Sequence, residues 1–122
     1  MRVLREIDET VAATHTISVA TNGVRALEAL ADPTRRAIFE ALPPAPRSVG
    51  ELAAAVGVSS SAVSQHLRVL REARLVGMRP DGNRRMYHLD PRGLGDARDY
   101  LERFWPSALA AYAAAISQPT LR

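Results

Sequence analysis

The 122-residue chain contains no cysteine, which excludes disulfides, thiolate metal ligands and cysteine nucleophiles together. It has no long hydrophobic run either. The longest apolar stretches, Leu52 to Val58 and Ala108 to Ile116, are too short to span a bilayer, and Met1 to Ala13 mixes charged with apolar residues. A cytoplasmic protein without a membrane partner is therefore expected. There is no glycine-rich phosphate loop, no nucleophile, base and acid set, and no pair of carboxylates in an evident cleft, so nothing argues for an enzyme. His15, His66 and His88 fall in three different elements, and neither a metal site nor a cofactor is expected from them.

What is present is ordinary in amount and uneven in placement. An apolar fraction of 47% and a charged fraction of 24% fit one globular folding unit. The net charge is only +3, yet the stretch from Ser59 to Arg92 carries seven arginines against three acids and leaves the rest of the chain nearly neutral. Every basic residue in that stretch is arginine, the side chain whose planar fork fits phosphates and guanine edges. A face built for a polyanion is one reading; a solvated helix face is the other.

Residues 1–23 read as an arm. Val3, Ile7 and Val11 recur at helical spacing, and His15 to Val19 alternates like a short extended run. From Val24 the pattern is helical, with Leu27, Leu30 and Ala31 on one stripe. Asp32-Pro33 then supplies an N-cap and a first helical residue for a second helix, to about Leu42, that turns Ile38, Phe39 and Leu42 inward. Pro43, Pro44 and Pro46 stop it. Ser48 to Glu51 has capping-box spacing and opens a third helix, which buries Leu52, Ala53 and Val56 and ends at Gly57. The serines at 59 to 61 open a fourth, to about Ala73, and two helices joined by a tight glycine turn form a helix-turn-helix. Val76 to Arg79 and Arg84 to Leu89 read as strands around the Pro80 to Asn83 turn. Asp90-Pro91 starts a long last helix, with a kink or break expected near Trp105 because of Pro106. The fold class is mainly α with a two-stranded β wing, a dimeric winged helix-turn-helix spanning 24–117, followed by a tail at 118–122.

At 100° per residue, the fourth helix turns Val63, Leu67 and Leu70 inward. Ser61, Ser64, Gln65 and Arg68 fall on the opposite side, with Ser60 and Arg71 at its edge. That polar and basic surface suits a major groove: glutamine pairs with adenine, arginine with guanine, and the serines serve bases or phosphates. His66 lies nearer the core side, as a structural residue or a phosphate contact. Arg79, Arg84 and Arg85 surround the hairpin tip, either to meet DNA or to keep a strand edge from aggregating. Whether Tyr87 and Leu89 or Met86 and His88 turn inward is open. The last helix carries Leu94, Leu101, Phe104, Trp105, Ala108 and Tyr112 on a stripe that exceeds what so short a chain can cover. Pairing with a second copy, with Leu27 contributing, and packing within the chain against Leu27 or Phe39 both account for it.

Ala31 to Leu42 (ADPTRRAIFEAL), Val49 to Ala53 (VGELA) and Ser61 to Ala73 (SAVSQHLRVLREA) together resemble the ArsR family of bacterial repressors. The resemblance runs from about Val24 to Ile116 and takes in Arg85 to Tyr87 and Phe104-Trp105. It implies a homodimer joined through its first and last helices, with the fourth helix in the major groove of double-stranded DNA, wings beside it, and Ser61, Ser64, Gln65 and Arg68 carried over as reading residues. Many members of that family release DNA on binding metal through cysteines of the third helix or an Asp and His set on the last. Here Leu52 and Ala53 to Ala55 occupy the former positions and the last helix has no histidine, so the resemblance is to the branch without metal-site motifs. A transcriptional repressor binding an inverted-repeat operator is the leading expectation, and a winged-helix protein-interaction module the alternative. A small-molecule effector near the last helix is compatible with either, and the sequence names no ligand.

Overall fold

Asp32, Ser48 and Ser59 each stand one residue before a helix, and each accepts a backbone amide that the helix itself leaves unpaired. The computed structural model describes residues 17–117: helix α1 over residues 17–29, α2 (Pro33–Glu40), strand β1 (Arg47–Ser48), α3 (Val49–Val56), α4 (Ser60–Glu72), β2 (Val76–Asp81), β3 (Arg84–Leu89) and α5 (Pro91–Ser117). Asp32 Oδ1 accepts the Arg35 amide at 2.9 Å, and Pro33 takes the first helical position. The Ser48 hydroxyl accepts the Glu51 amide at 3.2 Å while Glu51 Oε1 accepts the Ser48 amide at 3.0 Å, a complete capping box. Ser59 Oγ accepts the Ala62 amide at 3.1 Å. Gly57 closes α3 in the left-handed region, φ 81, with its amide on the Ala53 carbonyl.

The end of α4 closes with paired bonds from the Leu75 amide to the Leu70 carbonyl and from the Arg74 amide to the Arg71 carbonyl, both 3.0 Å. Arginine fills the left-handed position here, Arg74 at φ 62, and its guanidinium lies 3.5 Å from Asp96 of α5. Just beyond, the Gly93 amide donates to the Arg74 carbonyl at 2.7 Å. A Cβ at Gly93 would lie 2.6 Å from the Ala73 and Arg74 carbonyl oxygens, so α5 approaches the end of α4 at backbone distance.

The core gathers Ile38, Leu42, Leu52, Val63, Leu67, Leu70 and Leu75, fully buried, from α2, α3 and α4 and the segments that follow them. Ala26, Ala29 and Ala97 bring α1 and α5 onto it, and of the two pairs the sequence left open neither turns inward as a whole: Tyr87 is buried, Leu89 exposed, and Met86 and His88 half-buried.

Several details depart from the sequence reading. Ile17 to Val19 is helical, because Val19, Gly23 and Ala26 share the buried stripe of α1; the expected boundary at residue 23 falls inside that helix. Val3, Ile7, Val11 and His15, and the tail at 118–122, lie outside the described residues. The sheet has three antiparallel strands in the order β1-β3-β2, Arg47 and Ser48 pairing with Tyr87 and Met86. Pro80 and Asp81 belong to β2, leaving a two-residue turn of Gly82 and Asn83; proline is tolerated because β2 is an edge strand. Of the kink or break expected near Trp105, no break occurs: α5 stays helical through Pro106. Both Pro106 and Glu102, whose carbonyl loses its amide partner, are exposed, so solvent replaces the single missing bond.

Candidate nucleic-acid interface

One side of α4 is sealed and the other bare. Val63, Leu67 and Leu70 are at most 1% exposed, whereas Ser60, Ser61, Ser64, Gln65, Arg68 and Arg71 are all exposed. Arg68 leans along the helix to Glu72, Nε to Oε1 at 3.4 Å, with both side chains largely in solvent. His66 is half-buried and stays off this outer row. The carboxyl of the Asp32 cap is held below its ordinary range chiefly by the hydrogen bond from the Arg35 amide.

The hairpin stands beside α4 and presents Arg79, Arg84 and Arg85, all exposed. Arg84 is engaged: its Nη2 donates to Glu51 Oε1 at 3.0 Å, tying the wing to the capping box of α3 across 33 residues of sequence. Glu51 is held low first by the Ser48 amide, then by the Ser48 hydroxyl and the positive charges of Arg84 and Arg47. Between α4 and β3 lies a cleft of about 490 Å³, lined by Ser64, Arg68, Arg71 and Glu72 on one wall and Arg85 and Tyr87 on the other.

A second surface has the opposite character. Leu94, Leu101, Phe104, Trp105 and Tyr112 are exposed along α5, Trp105 to 55%, with Ala108 half-buried among them and Leu27 of α1 beside them. Phe104 stacks on Tyr100 of its own helix, ring centroids 6.1 Å apart. Leu109 and Ile116 extend this face beyond the residues the sequence reading singled out, and Ile17 of α1 is a further exposed apolar side chain. The run Leu101, Trp105, Leu109, Tyr112, Ile116 at spacings of three and four carries that signal in the sequence. A groove of about 440 Å³ between α1 and α5 is lined by Leu27, Leu94, Ala97, Leu101, Trp105 and Pro106 among others.

Among the described residues no three His, Cys, Asp or Glu side chains gather where they could hold a metal ion, and none of these helices is long and apolar enough to cross a membrane.

A polar, outward-facing helix packed on a preceding short helix through a glycine turn, with an arginine-bearing hairpin beside it, is a winged helix-turn-helix. A helix-turn-helix domain family matches residues 30–79. The HTH-type transcriptional regulator Rv2034 of Mycobacterium tuberculosis is 60% identical over 89 residues, 73% of this chain and 83% of that protein. A solved structure described as a possible transcriptional regulator for arsenical resistance is 44% identical, covers 76% of this chain and 97% of that one, and superposes with a TM-score of 0.62. An ArsR-like transcriptional regulator from Rhodococcus sp. RHA1 is 29% identical, covers 82% and 96% respectively, and gives a TM-score of 0.66. The chain belongs to the ArsR family of helix-turn-helix transcriptional regulators.

Proposed function

We propose that this regulator is a cytoplasmic homodimeric repressor that binds an inverted-repeat operator. The observation that carries the reading is the outer row of α4: small polar and basic side chains, all exposed, on a helix whose other side is fully buried. Gln65 and Arg68 read base edges, Ser60, Ser61 and Ser64 serve bases or phosphates, and Arg71, Arg79, Arg84 and Arg85 meet the backbone and the adjacent minor groove. Leu27, Leu94, Leu101, Phe104, Trp105, Ala108 and Tyr112 form the contact between copies, since so large an exposed apolar face is costly on a monomer. An apolar effector would enter at the groove between α1 and α5 and act by competing with that contact.

Selection of bound duplexes from a random DNA pool, followed by fluorescence anisotropy at two salt concentrations, tests the reading. The expected result is an inverted repeat whose half-sites lie about one turn, roughly 34 Å, apart. Its affinity should fall steeply with salt as counterions are released. A folded, dimeric protein that enriches no sequence, or whose binding ignores salt, would favour the protein-interaction module.

A further inference from the structure

In any duplex, the major groove and its neighbouring minor groove are separated by a sugar-phosphate strand. A protein that sets a helix in one and a hairpin tip in the other must straddle that strand. In this molecule the gap that would straddle it is the cleft between α4 and β3, three of whose six lining residues are arginines. Arg71 rises from the α4 wall and Arg85 from the β3 wall, and among the described residues neither has an ion-pair partner. Glu72 is the acid among the lining residues, and Arg71 and Arg85 outweigh it even when Arg68 leaves it for a base edge. Buried Tyr87 lines the β3 wall, and the exposed Ser64 supplies a hydroxyl donor on the α4 wall.

Building on the DNA-binding reading, we propose that this cleft is a phosphodiester site in which Arg71 and Arg85, from opposite walls, grip one backbone phosphate per half-site. The two arginines then have a different task from Gln65 and Arg68. They fix the register of the helix in its groove without reporting on sequence, because a phosphate looks the same in every step of the duplex. A fork held from both sides also fixes the angle between recognition helix and wing, which a contact from either element alone leaves free.

The test uses the intact dimer with its selected operator and with a random-sequence duplex. The R71Q/R85Q double variant changes only exposed side chains. It is expected to lose about one unit of the log affinity against log salt slope per half-site, about eightfold in affinity per half-site at 0.1 M salt, equally on both duplexes. Methylphosphonate substitution, which neutralises one phosphate at a time along the operator, should then find one position per half-site that weakens the wild type by the same factor and leaves the double variant unchanged. An unchanged salt slope in the variant, or losses that multiply at every position, overturns the clamp while leaving DNA binding intact. A wild type that binds neither duplex overturns the proposed function itself.

Discussion

Helix α4 packs one whole side against the core and α5 only its first turns, through Gly93 and Ala97, and what the two leave outside is opposite in kind. α4 presents serines, a glutamine and arginines to solvent, while α5 presents Leu101, Trp105, Leu109 and Tyr112. A polar row needs no cover to stay in water and is free to meet a hydrated polyanion. An apolar row costs about 25 cal/mol for each Å² it leaves wet, and that cost is removed by a like surface. On the proposed function, the difference divides labour along the chain: one helix meets nucleic acid, the other a second copy.

The strongest way to break this division is at α5. Leu101→Asp with Trp105→Asp is expected to give folded monomers in sedimentation, with operator affinity reduced on the order of 10²–10⁴-fold because the second half-site is no longer tethered. Monomers that keep full operator affinity would break the comparison. At the sealed side of α4, Leu67→Ala should cost about 2–5 kcal/mol in urea unfolding, from lost transfer energy and a residual cavity. On its outer side, Gln65→Ala or Arg68→Ala should cost about 1–3 kcal/mol of discrimination between operator and random duplex, with stability and dimerisation unchanged. Equal losses on both duplexes would mean that these residues touch only phosphate. Ser59→Ala, which removes the cap at the start of α4, should destabilise by about 1 kcal/mol.

The smallest effect is in acid. Asp32 is held low mainly by the Arg35 amide, Glu51 by the Ser48 amide and Asp90 by the Arg92 guanidinium. A carboxyl depressed in the folded state lends stability above its unfolded value, about 4, and loses it as pH falls through the lower folded value. The contribution of these three groups to the urea midpoint should therefore be full and flat above about pH 5 and decline as pH falls below about 4. Stability that rises on acidification through this window would contradict the assignment.

Features governed by neighbours in the chain were legible before the structure: the capping box at Ser48 and Glu51, the glycine stop at Gly57, the Asp-Pro helix starts, and the inner and outer sides of α4. Features that depend on distant partners were not. The close of α4 at Arg74 lacks the usual glycine or asparagine, and it is completed by Asp96 and by the approach of Gly93. β1 is two residues long and exists only because Tyr87 and Met86 lie beside it. Ile17 to Val19 satisfies a two-residue alternation over so short a span that the helical stripe through Val19, Gly23 and Ala26 decides the outcome. At the site, the polar row was readable from periodicity, whereas the link from Arg84 to Glu51 and the cleft between α4 and β3 arise from chain segments brought together by folding.

Gly93 has a consequence for which operators are admissible. Where a backbone amide meets a backbone carbonyl at 2.7 Å with no room for a side chain between, there is little play for α5 to swivel on the end of α4. In the proposed dimer each copy then behaves as one arm of a caliper, its jaw the outer row and its joint the apolar face. A single base pair inserted between half-sites moves one jaw's target by about 3.4 Å and turns it by about 34° around the duplex. A caliper this stiff has no bend with which to follow it, so spacing should be read as strictly as sequence.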